Sequence, residues 1–187
     1  MKGHHSESLR DMLIDIPHAI GCEVGVYEGI TTNRMLDMLP NIKRYYTVDT
    51  WDIYTLYDGT QFKKPKNPTR KSWHNSITNF FENTKNNQHR IVSLRMPSTE
   101  AINHIEDESL DWVFIDANHQ YEYIKENLEI WIPKVKQGGL VSGHDYGNPK
   151  ETNRNWGITK AVDEYVEEFV GKENLIVKPH FVWGFIK

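Results

Sequence analysis

The chain has 187 residues, 22 Lys and Arg against 26 Asp and Glu for a formal charge of −4, and one cysteine, Cys22. This length suits one domain with a sizeable core, and so mild a charge gives no electrostatic case for nucleic acid or an anionic membrane as partner. A lone cysteine excludes an internal disulfide framework, so a reducing, cytoplasmic setting is expected.

The opening stretch, "MKGHHSESLRDMLIDIPHAIG", carries scattered charges and no apolar run near the ~18 residues of a membrane span, so it reads as neither signal peptide nor anchor. Its adjacent His4 and His5 are too few to define a tag. Apolar, β-branched runs then alternate with helical periodicity, the pattern of parallel strands joined by crossover helices. The runs are "AIGCEVGV" (19–26), "RYYTVDT" (44–50), "RIVSLRM" (90–96), "LDWVFIDA" (110–117), "GLVSGHD" (139–145), and finally "NLIVKP" with "HFVWGFIK". Several are nearly continuous, as strands covered on both faces should be.

Three stretches between the strands show apolar residues at spacings of three and four. They are Trp73, Ile77, Phe80 and Phe81; Tyr121, Ile124, Leu128 and Trp131; and Ile158, Ala161, Val162, Tyr165, Val166, Phe169 and Val170. All are expected to pack on the sheet. The last two strand-like runs meet at Lys178, Pro179 and His180 with no helix between, so they should form a hairpin and place one antiparallel strand in a parallel sheet. The fold class is α/β.

"EVGVYEG" lacks the GxGxxG that a dinucleotide pyrophosphate requires. It offers Glu23, Gly25 and Gly29 at the end of the first strand, opening a helix over 30–39. Such a turn, with Val26 and Tyr27 inside it, suits a ligand bearing an ammonium, a carboxylate and a ribose but no phosphates. S-adenosylmethionine is that ligand, with Glu23 facing its cationic end; a plain strand-to-helix turn is the alternative. Asp49, ending the second strand, is placed to accept ribose hydroxyls, with Thr50 and Trp51 beside it. Ser98 and Thr99 follow the third strand, where they should cap a helix and could also reach the adenine.

"EVGVYEG", "YYTVDTWD", "RMPSTEA", "VFIDANHQYEYIKENLEIWIPKVKQGGLVSGHDY" and the closing hairpin occur in an order that resembles the class I S-adenosylmethionine-dependent methyltransferases. The long central stretch is most similar to small-molecule O-methyltransferases of the group containing sugar and macrolide-sugar enzymes. The resemblance implies a Rossmann-like sheet of seven strands with the last antiparallel and helices on both faces. It also implies that Asp116, ending the fourth strand, and His144 and Asp145, ending the fifth, stand where metal-dependent relatives bind a divalent ion. His119, three places after Asp116, stands where relatives place the base, and an imidazole exchanges protons near neutral pH. Asp116, His119 and Asp145 are therefore the candidate catalytic residues, and Asp116 also borders the cofactor. An acid is commoner than His144 in the relatives, so a metal, Mg²⁺ or Mn²⁺, is left open.

Residues 51–73 lack periodicity and interrupt the alternation. Trp51, Tyr54, Tyr57, Phe62 and Trp73 stand there beside Lys63, Lys64, Lys66, Arg70 and Lys71, which suggests a substrate lid within a single domain, 1–187. The alternative, favoured for the lysines, is a solvated basic loop whose aromatics pack on the domain. The expected function is methyl transfer to a hydroxyl of a small molecule, a sugar or glycoside, by a monomer or homodimer without nucleic acid or membrane. The alternatives are a nucleic-acid base or protein side chain as acceptor, against which "DANH" replaces the NPPY-like tetrapeptide of amino-directed relatives, or a non-catalytic nucleoside-binding module.

Overall fold

In the computed structural model, residues 3–52, 70–154 and 156–187 are described, residues 70–73 by their backbone alone. Seven strands appear where the runs place them: β1 (Ile20–Val24), β2 (Arg44–Val48), β3 (Ile91–Leu94), β4 (Leu110–Ile115), β5 (Val135–Gly143), β6 (Ile176–Lys178) and β7 (Val182–Ile186). They form one sheet in the order β3-β2-β1-β4-β5-β7-β6. β1 to β5 pair in parallel, and β7 runs antiparallel to both β5 and β6, as the helix-free hairpin requires. β5 begins at Val135 rather than at Gly139, because "KQGG", with Gly138 at a φ of 78°, hides the extended backbone from a reading by side-chain type.

The helices are α1 (His5–Leu13), α2 (Ile30–Met38), α3 (Arg70–Asn83), α4 (Ser98–Ala101), α5 (Tyr121–Trp131), α6 (Glu151–Arg154) and α7 (Ile158–Phe169). β4 is buried throughout because both of its faces are covered. From Trp112 its side chains alternate: Val113 and Ile115 join the cluster under α5 and α7, while Trp112 and Phe114 join the one under α1 and α2. Ile124, Leu128 and Trp131 of α5 and Ile158, Ala161, Val162 and Val166 of α7 fill the first cluster as expected. Two expected core residues point elsewhere: Phe81 is 47% and Phe169 65% exposed. Phe80 and Phe81 are consecutive, so they project about 100° apart on a helix, and only Phe80 reaches the core.

α1 was not foreseen, because its apolar stripe, Leu9, Met12 and Leu13, fills barely one turn among polar residues. Packing supplies what propensity lacks. The three side chains bury against the second cluster, Arg34 of α2 bonds Ser6 and Glu7, and Ser8 donates to the Pro179 carbonyl. Among the described residues no helix is long and apolar enough to cross a membrane.

Candidate active site at the carboxyl edge of the sheet

The strand order reverses between β1 and β4, and open α/β sheets bind ligands at such a switch point, beyond the strands' carboxyl ends. Parallel register aligns what stands there. Beyond the last paired residues the ladder continues by one bond per strand: Gly25 N–H donates to Val48 O, Asp49 N–H to Leu94 O, Asp116 N–H to Val24 O and His144 N–H to Ile115 O. Gly25, Asp49, Asp116 and His144 therefore form one row across the edge.

The glycine turn is built tightly. A Cβ on Gly25, which has a φ of 90°, would overlap the Asp116 carbonyl oxygen and lie 2.6 Å from the Ala117 Cα. Asp49 ties the turn down from β2: its Oδ2 accepts from Val26 N–H and Tyr27 N–H, both at 2.9 Å, and its Oδ1 from Trp51 N–H at 2.8 Å. Thr50 lies half-buried beside it. Trp51 differs from expectation. Its indole is 1% exposed, packs on Val26 and Phe80, and donates to the Tyr27 carbonyl at 2.7 Å, so it braces the turn from beneath instead of facing a ligand.

Glu23 also departs from its expected role. It is 2% exposed, and its Oε2 accepts from Thr32 Oγ1 at 2.5 Å and Tyr45 Oη at 3.0 Å, which fastens α2 and β2 to β1. Burial pushes its carboxyl up to about 8, outweighing these two bonds, so at neutral pH it offers no negative charge to a cationic ligand. The raised value makes a prediction. The folded protein keeps a proton that the unfolded chain releases near pH 4.5, so this stabilising contribution is complete below pH 4.5 and disappears as pH rises through 8. The contribution is on the order of 4 kcal/mol. Glu23→Gln keeps an acceptor for Thr32 and Tyr45 without the titration. Its melting temperature should match the wild type near pH 5 and exceed it at pH 9; parallel curves across that range would remove Glu23 from the account.

Ser98 and Thr99 lie in the first turn of α4, half-buried and exposed respectively, but Pro97 holds the cap position and neither hydroxyl caps the helix. Of the lid, residues 53–69 lie outside the described residues, with Tyr54, Tyr57, Phe62, Lys63, Lys64 and Lys66. The side chains of Arg70, Lys71 and Trp73 do as well.

The predicted reacting groups do converge. His119 Nε2 lies 2.6 Å from Asp145 Oδ2 and 3.8 Å from Asp116 Oδ1. His144 Nδ1 lies 3.5 Å from both Asp116 Oδ1 and Asp145 Oδ2. Asp145 reaches the cluster through a left-handed backbone, φ 64°, a conformation Asp tolerates better than most residues, and Asn148 Nδ2 donates to its Oδ1 at 2.5 Å. Burial alone would depress the His144 imidazole, yet hydrogen bonds and charge from Asp116 and Asp145 push it up to about 10. Against the opposing effect of burial, His144 lowers Asp116, and His119 with His144 hold Asp145 well below the usual carboxylate range.

Two neighbours, His5 and Trp156, carried no signal in the sequence. His5, the first residue of α1, brings its ring to 4.3 Å from that of His144, and its Nε2 meets Thr31 Oγ1 at 2.6 Å. Burial first, and then the neighbouring imidazoles, push His5 down to about 3 despite Asp116. Trp156 stacks on His119 with ring centroids 4.3 Å apart, and Gly157 N–H bonds the His119 carbonyl. Asn118 is buried, with its Oδ1 on Gln120 N–H, while its Nδ2 finds no hydrogen-bond partner among the described residues.

A glycine turn after β1, an acid after β2 and polar ends on β4 and β5 define a Rossmann-like enzyme built around a nucleoside cofactor. The chain belongs to the family described as a methyltransferase domain, whose profile matches residues 22–146, and it is a class I S-adenosylmethionine-dependent methyltransferase. Solved structures share the fold. The O-methyltransferase NovP is 18% identical at a TM-score of 0.64, over 98% of this chain and 79% of NovP. An O-methyltransferase from Bacillus cereus in complex with S-adenosylhomocysteine is 13% identical at 0.66, over 100% of this chain and 82% of that one. TomG from Streptomyces achromogenes, an O-methyltransferase involved in tomaymycin synthesis and bound to S-adenosylmethionine, is 12% identical at 0.65, over 98% and 79%. A stretch of 52 residues is 42% identical to the uncharacterized protein y4gI of Sinorhizobium fredii, covering 28% of this chain but only 6% of that protein's length.

Proposed function

We propose that this protein transfers the methyl group of S-adenosylmethionine to a hydroxyl of a small molecule, a sugar or glycoside, with His119 as the base. The carrying observation is the 2.6 Å contact between His119 Nε2 and Asp145 Oδ2 beside the β1/β4 switch point. Asp145 holds the Nε2 proton and leaves the lone pair on Nδ1, which has no hydrogen-bond partner among the described residues. A hydroxyl placed against Nδ1 loses its proton there as its oxygen attacks, and Asp145 stabilises the imidazolium that forms. Trp156 fixes the ring plane by stacking.

Bound S-adenosylmethionine supplies an electrophilic methyl on a sulfonium, displaced in line. The residues fit it. Asp49 accepts three backbone bonds, yet a carboxylate has about four acceptor sites, so a ribose hydroxyl can join without loosening the turn. Gly25, Val26, Tyr27 and Gly29 form the wall for the methionine half, and Thr50, Ser98 and Thr99 lie toward the nucleoside. Asp116 and His144, with Asp145 adjacent, would hold a divalent ion that lowers the acceptor's proton affinity.

The experiment is a thermal-shift titration with S-adenosylhomocysteine, followed by labelled-methyl transfer to a panel of sugars, nucleic acid and proteins, with and without EDTA. The melting temperature should rise with ligand, and label should enter the sugars. No shift at millimolar ligand would sink the cofactor reading. Label in RNA or protein alone would replace the acceptor.

A further inference from the structure

Asp116, His144 and Asp145 all stand at the strand ends, but the geometry divides the groups there differently. Among the described residues two sets of three have their ligand atoms within 4.8 Å of one another: His5, Asp116 and His144, and Asp116, His119 and Asp145. Both oxygens of Asp145 are already engaged, Oδ2 by His119 and Oδ1 by Asn148. We propose that His5, Asp116 and His144 are the protein ligands of a divalent first-row transition ion, and that Asp145 serves His119 instead.

This inference rests on the methyltransferase reading only for what the ion does; the site itself stands on geometry. His144 Nδ1 and Asp116 Oδ1 are 3.5 Å apart. Two donors that share an ion at about 2.1 Å stand roughly 3.0 to 3.4 Å apart in octahedral or tetrahedral geometry, so a small contraction suffices. The packing that docks α1 on the core also holds His5 in place at the edge. Its ring sits 5.8 Å from that of Phe114 in a stacked arrangement, Thr31 Oγ1 fixes its Nε2, and Arg34 bonds to Ser6 and Glu7 lock α1 onto α2. A polar partner that orients a ligating imidazole is the usual support for such a site.

The donor set decides the ion. Two imidazoles and one carboxylate are poor ligands for Mg²⁺ and Ca²⁺, which prefer oxygen, and suit Mn²⁺, Fe²⁺, Co²⁺ or Zn²⁺. With three protein ligands, a bound ion would lower the proton affinity of an acceptor hydroxyl, and the His119–Asp145 pair would take the proton. α1 closes one face of the core and also delivers a ligand to the edge.

The test is a Co²⁺ titration of the full, metal-stripped chain, followed by visible absorption and calorimetry, with no methyl donor or acceptor present. One equivalent should bind and give the d–d bands of a site with nitrogen ligands, and Mg²⁺ at millimolar concentration should not displace it. His5→Ala and His5→Gln should each weaken Co²⁺ binding at least tenfold while their circular dichroism matches the wild type, and each should lose more affinity than Asp145→Asn. Unchanged Co²⁺ affinity in both His5 variants would overturn the proposal, as would effective competition by Mg²⁺, a larger loss in Asp145→Asn, or no Co²⁺ binding at all. S-adenosylhomocysteine binding is measured on the same metal-free samples. A chain that binds it but not Co²⁺ loses this site and keeps the methyltransferase reading; the converse separates the two the other way.

Discussion

Replacing His119 by alanine should lower kcat for methyl transfer by about 10²- to 10⁴-fold and leave the thermal shift produced by S-adenosylhomocysteine nearly intact. The expectation follows from where the side chain stands. His119 faces Asp145 at 2.6 Å and lies three residues past Asp116, while the backbone bonds that tie the glycine turn to Asp49, which would carry the cofactor, do not involve it. Removing the imidazole would take away the proposed acceptor of the hydroxyl proton and leave the turn's bonds to Asp49 in place. His119→Gln, which can still bond Asp145 but cannot take a proton at neutral pH, should be nearly as slow. A His119→Ala enzyme that retains more than a tenth of its kcat would show that the proton leaves by another route, and a lost thermal shift would move His119 into cofactor binding.

A leucine at Gly25 should cost about 3 kcal/mol or more of stability and eliminate S-adenosylhomocysteine binding together. The reason is that the Cβ meets the chain's own backbone at Asp116 and Ala117, on a φ of 90°. Any movement of Asp116 that makes room also disturbs its 3.5 Å approach to His144, so fold and site fail together. Urea midpoints and thermal shifts on Gly25→Ala and Gly25→Leu measure both effects. Full cofactor affinity in a stable Gly25→Leu protein would mean that the turn relaxes away from β4 and that its tightness has no bearing on the site.

The strands were legible because their signal is local. The nearly continuous apolar run in "LDWVFIDA" and the stripe from Ile158 to Val166 need only neighbouring residues to be seen. The hairpin followed from the missing helix before Val182. The site was legible in part for a related reason. Parallel register sets Gly25, Asp49, Asp116 and His144 side by side once their strands are known to end there. α1 escaped because a stripe of three apolar residues is too short to separate from chance, and Phe81 and Phe169 were misplaced because spacing gives a face without saying how far the neighbouring surface extends.

What the sequence by itself determined was the class: an α/β sheet with one reversed strand, and a set of acids, glycines and histidines at the ends of its strands. Tertiary structure decided what those groups are. Glu23 is an acid in sequence but a buried, protonated hydrogen-bond acceptor in the fold, because burial raises its carboxyl by more than the hydrogen bonds from Thr32 and Tyr45 lower it. Trp51 turned from a contact surface into a brace for the same kind of reason. His5 stands 139 positions from His144 in the numbering and 4.3 Å away in space, a proximity that no local pattern encodes and that the docking of α1 on the sheet alone creates.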